Sequence, residues 1–187
     1  FTNSYTPHVG GVARSVESFA QQYRAFDHHV LIVAPKFPGM PESEINVLRV
    51  PALQKFNGSD FSVVLPVSSL LKDRLEQFKP HVVHAHQPFL LGITALQIAR
   101  TRNLPLVYTH HRLYETHTHY VPGDSPTMQQ FAVALATQYS NLADLVFAPS
   151  ESTARLLQQR GVETPINIVP TGLQLDYFAN ANGYHFR

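Results

Sequence analysis

This 187-residue sequence predicts an α/β domain, a Rossmann-like parallel sheet flanked by helices. Three observations carry that prediction. Short apolar runs recur along the chain, stretches of 10–18 residues with apolar positions spaced i, i+3, i+4 separate them, and proline or glycine marks most boundaries. Strands that alternate with helices build βαβ units, and those place the strands parallel. The length suits one core, with little room for a second.

The elements follow in order. Residues 11–26 read as a helix with Val12, Val16, Phe19, Ala20 and Tyr23 on one face. Residues 29–34 (HVLIVA) form a nearly all-apolar strand closed by Pro35, and 46–50 form a weaker one closed by Pro51. Residues 66–79 are helical, with Val67, Leu70, Leu71, Leu75 and Phe78 in register, and Pro80 stops them. The strand 81–86 (HVVHAH), a helix 92–102 and the strand 106–110 (LVYTH) come next. Ser125 and Pro126 supply an N-cap and a first helical residue for a long helix whose expected buried stripe is Phe131, Leu135, Tyr139 and Leu142. A strand at 145–148, a helix capped by Ser150 and ended by Gly161, and a strand at 166–169 complete the pattern. Residues 111–124 make the one long irregular stretch, a length that points to a functional loop.

Composition narrows the function. Fourteen Lys and Arg against 13 Asp and Glu leave a net charge of +1, which gives no general affinity for nucleic acid. With no cysteine, thiol chemistry and disulfides are excluded. No apolar run approaches the roughly 20 residues that span a bilayer, so the expected location is cytoplasmic. The Gly10–Gly11 turn predicts a strand before it of which only a few residues are present, and residues 173–187 read as the start of a further unit.

Ligands of open parallel sheets bind beyond the carboxyl ends of the strands. Four segments should meet there: residues 5–12, 84–88, 109–120, and the pair Pro149 and Ser150. Gly10 and Gly11 at a helix start can offer backbone N–H groups to an anion, or can simply serve a tight turn. Arg14, one turn on, is either a phosphate partner or a solvated cation. No dinucleotide or Walker motif accompanies them. His84 and His86 lie two apart on a strand and share a face, while His110 and His111 point oppositely. A metal cluster is one reading of these histidines together with His117 and His119. It lacks tightly spaced additional ligands, so hydrogen bonding to hydroxyls or phosphates is preferred and no metal site is assigned. Glu115 is a candidate base or hydroxyl-orienting group, or a solvated loop carboxylate.

Taken together, the motifs resemble a known family. Pro7, Gly10, Gly11 and Val12; Pro80, His84, His86 and Pro88; Val107, Thr109 and His111; Ala143, Asp144, Pro149, Ser150 and Glu151; then Pro170, Thr171 and Gly172 occur in the order seen in the N-terminal domain of retaining GT-B glycosyltransferases of family 4. Tyr108, His111, Tyr114, Glu115, His119 and Tyr120, with Phe89 and Gly92, are similar to its diacylglycerol glucosyltransferase branch, from which Arg112 departs.

The resemblance implies that residues 1–172 are the acceptor-side half of a GT-B fold and that 173–187 lead towards a C-terminal donor domain. It implies transfer from a nucleotide sugar, UDP-glucose-like or GDP-mannose-like, to a small-molecule or lipid hydroxyl, with retention and no obligatory cofactor. His111 and Glu115 would be catalytic, and Gly10, Gly11 and Arg14 would hold the donor phosphates. His84, His86, His119 and Tyr120 would bind the acceptor. Peripheral membrane contact is expected at most, and this fragment alone is expected to be inactive. Two other classes are a non-catalytic glycan- or lipid-headgroup-binding module and, less well supported, a histidine metal-dependent hydrolase.

Overall fold

A computed structural model of the chain describes residues 1–40, 44–53, 63–64, 68–111, 113 and 126–172. Its elements run α1 (Gly11–Ala25), β1 (Ile32–Pro35), β2 (Val47–Val50), β3 (Ala52–Leu53), β4 (Val63–Val64), α2 (Ser68–Phe78), β5 (Val83–Ala85), α3 (Leu91–Arg102), β6 (Leu106–Thr109), α4 (Pro126–Leu142), β7 (Leu145–Ala148), α5 (Glu151–Gln159) and β8 (Ile166–Ile168). Strands β5-β6-β7-β8 form a parallel sheet in sequence order, and β1 pairs parallel with β2. The α/β class with a parallel sheet is therefore the observed one. A small antiparallel ribbon, β3 with β4, was not anticipated; its two-residue strands are too short to leave a periodic signal.

The two parallel sheets are joined by the first residues of the chain. Thr2 N–H donates to Val33 O of β1 (3.0 Å) and His86 N–H to Phe1 O (3.0 Å), while the Phe1 amine donates to His84 O (2.7 Å). Residues 1–3 thus lie between β1 and β5. Alongside Phe1 a cavity of about 360 Å³ opens between Leu31–Val33 and Val82–His84, under Phe19 and Tyr23 of α1. β1 starts at Ile32 and not at His29 because its partner β2 begins at Val47, opposite Ile32.

One core lies on the face of the sheet under α3 and α5, where Val83, Ala85, Leu106, Tyr108, Val146 and Ala148 meet Leu91, Ala95 and Leu157. A second, smaller one packs Val12, Val16 and Ala20 of α1 on Ile32 and Ala34. Each buried aliphatic side chain contributes about 1.5–3 kcal/mol. Ser150 caps α5 by accepting from Thr153 N–H, and Gly161 follows that helix at φ +86°, a conformation suited to glycine. Asp144 accepts from Leu106 N–H (2.7 Å) and its own N–H donates to Leu106 O (2.8 Å), tying the start of β6 to β7.

The expectation for α4 needs correction. Of the predicted stripe only Tyr139 is buried; Phe131, Leu135 and Leu142 are 55%, 39% and 44% exposed. The buried face is Ala136, Thr137, Tyr139 and Ser140. Those small residues let the helix approach closely, and Tyr139 reaches Gly92 O with its hydroxyl (2.8 Å) and meets Tyr108 edge-on at 5.0 Å. Ser125 and the side chains of Val67 and Leu70 lie outside the described residues.

Candidate functional site at the carboxyl ends of β5 and β6

The alternation of strand side chains divides the histidines as expected. His110 turns into the core, buried, with its Nδ1 3.3 Å from the Tyr108 hydroxyl. His84, His86 and His111 turn to the opposite face, under α1. The His84 and His86 rings stack at 4.2 Å, and His86 and His111 stack at 5.1 Å. His84 Nε2 lies 2.7 Å from Thr109 Oγ1, and His86 Nδ1 lies 2.8 Å from His111 Nε2. Phe19 of α1 covers the column, 5.4 Å from His84 and 5.8 Å from His86, and also stacks on Phe147.

Burial sets the charge of this column. It holds His84 down at about 3, with His111 acting in the same direction. Burial likewise keeps His86 well below the ordinary imidazole range, with His84 and His111 acting in the same direction. Both rings are therefore neutral at pH 7. Among the described residues no group of three His, Asp or Glu is placed to share a metal ion.

The remaining assignments separate by depth. His86 is only 4% exposed and His84 is half-buried, and both line the cavity beneath Phe19 and Tyr23. His111 is half-buried at the end of β6. Gly10 is the N-cap of α1 with extended backbone (φ −174°) and no side-chain cap. Gly11 is exposed, and a Cβ built on it would meet nothing within 4 Å. The turn therefore does not demand glycine at position 11; the space beside the helix N-terminus is open. Arg14 is exposed in the first turn of the same helix. Glu115, His119, Tyr120 and Arg112 lie outside the described residues.

Several supporting residues escaped sequence reasoning. Asn3 is buried and makes three bonds: its N–H donates to Gln87 Oε1 (2.9 Å), its amide to Phe89 O (2.9 Å), and its Oδ1 accepts from Leu91 N–H (3.1 Å). It clamps the turn between His86 and α3. Gly92 closes the same turn, since a Cβ there would lie 1.9 Å from Gln87 O. Arg49 pairs with Glu44, donates to Pro35 O and lies 5.3 Å from the Tyr5 ring, bracing the segment that leads to Gly10. A lone Asn or Arg outside any period carries no sequence signal for such roles.

Comparison with known proteins places the chain. The family described as Glycosyltransferase Family 4 matches residues 9–177. The chain is 26% identical over 179 residues to an alpha-monoglucosyldiacylglycerol synthase of Streptococcus pneumoniae, covering 95% of this chain and 41% of that protein. It is 27% identical over 193 residues to the protein of the same name from Acholeplasma laidlawii, covering 95% and 46%. A GDP-mannose-dependent alpha-mannosyltransferase of Corynebacterium glutamicum is 25% identical over 169 residues, covering 85% and 39%. Among solved structures, sucrose-phosphate synthase from Thermosynechococcus elongatus shares the fold, with TM-score 0.67 and 18% identity over 94% of this chain and 45% of that one. The chain spans less than half the length of the curated relatives it matches.

Proposed function

The chain belongs to glycosyltransferase family 4, as an N-terminal domain of the GT-B fold, and from that premise we propose that the whole protein transfers a hexose from a nucleotide sugar to the hydroxyl of a diacylglycerol-type lipid, with retention. The observation that carries this reading is the column His84–His86–His111 with Thr109 at the carboxyl ends of β5 and β6, where open parallel sheets take ligands. The two glucosyl relatives, named for a monoglucosyldiacylglycerol product, support the lipid acceptor.

In this reading the bond from the anomeric carbon to phosphate breaks, a bond to the acceptor oxygen forms, and the acceptor's hydroxyl proton passes to the departing diphosphate. Negative charge grows on the departing diphosphate. The uncapped first turn of α1, with Gly11 leaving its approach open and Arg14 nearby, stabilises that charge through N–H groups and the helix dipole. His111 orients the transferred sugar by a hydrogen bond, while Glu115, His119 and Tyr120 hold the acceptor. Imidazoles suit this work, because a ring nitrogen can donate to or accept from a hydroxyl. No metal or cofactor is required by the scheme. Residues 1–187 alone supply the acceptor side and do not turn over. Among the described residues no helix is long and apolar enough to cross a membrane, and the whole protein meets its lipid peripherally, at the cytoplasmic face.

The test uses the full-length protein with radiolabelled UDP-glucose or GDP-mannose, with and without diacylglycerol vesicles. Label in the lipid fraction is the expected result. Transfer to a soluble sugar instead would discard the lipid acceptor, and no donor consumption would favour a binding module.

A further inference from the structure

We propose that Leu90 is a specificity-determining residue, whose side chain offers an apolar contact to the hydrocarbon of the acceptor lipid in the turn that leaves the carboxyl end of β5. That the acceptor is a lipid rests on the function proposed above. That Leu90 is held ready for a ligand rests on its backbone, its clamp and its place outside both cores.

Leu90 adopts a conformation that costs a leucine free energy. Its φ of +52° and ψ of −108° lie close to the first central position of a type II′ turn, about +60° and −120°, which glycine dominates. Gly92 N–H donates to Phe89 O (2.9 Å), closing that turn over residues 89–92. The other non-glycine residues at positive φ among those described are Asp27, Asn46, Lys79 and Asn103. Asn and Asp tolerate left-handed backbone, and Leu90 alone of the five is apolar. Asn3 imposes the conformation. Its side-chain amide donates to Phe89 O (2.9 Å) and its Oδ1 accepts from Leu91 N–H (3.1 Å), so one amide grips the two peptide groups that flank Leu90. Its backbone N–H donates to Gln87 Oε1 (2.9 Å), which ties the turn to the residue next to His86.

Glycine at position 90 would meet these demands without strain, so the leucine side chain answers a different need. Core packing is not that need. Among the described residues Leu90 packs against neither apolar core, whereas its neighbour Leu91 is fully buried in the larger one. Leu90 is half-buried, four residues beyond His86, on the side where open parallel sheets take ligands. An acceptor that carries its hydroxyl next to hydrocarbon needs a polar neighbour and an apolar one. The histidine column meets the first need and Leu90 the second.

The test uses the full-length protein with ¹³C-labelled leucine methyls, titrated with dihexanoylglycerol, beside the variants Leu90→Gly and Leu90→Met. In the wild type the Leu90 methyl resonances, assigned by their loss in Leu90→Met, should shift on titration. Leu90→Gly should melt no lower than the wild type, since glycine suits the turn, yet bind dihexanoylglycerol about tenfold more weakly. Leu90→Met keeps the apolar bulk and should hold that affinity within about threefold. UDP affinity should be equal in all three. Leu90 methyls that do not move, or equal lipid affinity in wild type and Leu90→Gly, would overturn the proposal. A lower melting temperature in Leu90→Gly would overturn it too, because the leucine would then serve packing. Transfer of label from UDP-glucose or GDP-mannose to dihexanoylglycerol, followed in the same proteins, judges the lipid acceptor separately. Transfer at one acceptor KM in wild type and Leu90→Gly would sink the role of Leu90 and leave the lipid transferase standing. Shifts at Leu90 without any transfer would remove the transferase and leave the contact.

Discussion

At the scale of single residues, the histidines at the carboxyl ends of β5 and β6 differ in depth, His86 buried and His111 half-buried. His111 is bonded to His86, yet sits past the end of a strand and not within either core. His111→Ala in the full-length enzyme should lower kcat on the order of a hundredfold, since it removes orientation at the reacting centre. Its urea midpoint should move little; wild-type turnover would take His111 out of the site. Gly11 is a sharper case, because its backbone does not require glycine and its surroundings are open. Gly11→Val should fold with stability within about 1 kcal/mol of wild type, yet weaken donor binding in calorimetry with UDP. A folding defect with unchanged UDP affinity would mean that the glycine serves only the turn. Sequence reasoning left those two readings of Gly11 open, because a glycine reports permissiveness and not which need it answers.

At the scale of elements, helix α4 shows where periodicity misleads. Two stripes on it are periodic: one of large apolar residues, Phe131, Leu135 and Leu142, and one of small ones, Ala136, Thr137 and Ser140, beside Tyr139. The small stripe is the one buried, because close approach to α3 and β6 delivers the Tyr139–Gly92 bond and the Tyr108–Tyr139 contact. Phe131→Ser should therefore change thermal stability by no more than about 0.5 kcal/mol. By contrast, Gly92→Ala must move the backbone, since its Cβ would overlap Gln87 O, and a cost of about 1–3 kcal/mol or more is expected. The same variant should displace the turn after His86, read as shifted His86 and His111 resonances. A melting temperature in Gly92→Ala equal to wild type would contradict the close approach. The strands of the two parallel sheets, but not β3 and β4, were legible to within a few residues from short apolar runs. β1 is shorter than its apolar run because a strand exists only where it has neighbours to pair with.

At the scale of the whole molecule, the buried column links stability to pH. In the unfolded chain His84 titrates near the ordinary 6.5; in the fold, burial, with His111 acting in the same direction, depresses it to about 3. Above 6.5 both states hold it neutral and its contribution is complete. Between 6.5 and 3 the unfolded state binds a proton that the fold refuses, so stability falls as pH falls. The loss should reach the order of a few kcal/mol near pH 3, a large share of a typical domain's 5–15 kcal/mol, and His86 adds in the same direction. Urea midpoints at pH 7, 5 and 4 should fall steeply for the wild type and less for His84→Gln. Equal slopes would show that His84 is not buried neutral.

What the sequence by itself determined is the class and the family: apolar runs, helical spacing and ordered motifs are local, and local patterns survive without coordinates. The pairing of His84 with His86 on one face and the opposite aim of His110 and His111 also follow from strand alternation alone. Only the tertiary structure decided that His86 bonds to His111, that Asn3 clamps the turn before α3, that residues 1–3 join the two sheets, and which face of α4 turns inward. Each of those depends on contacts between residues 20 to 90 positions apart, and such contacts are fixed by packing and by the need to satisfy buried polar groups, which no single segment encodes.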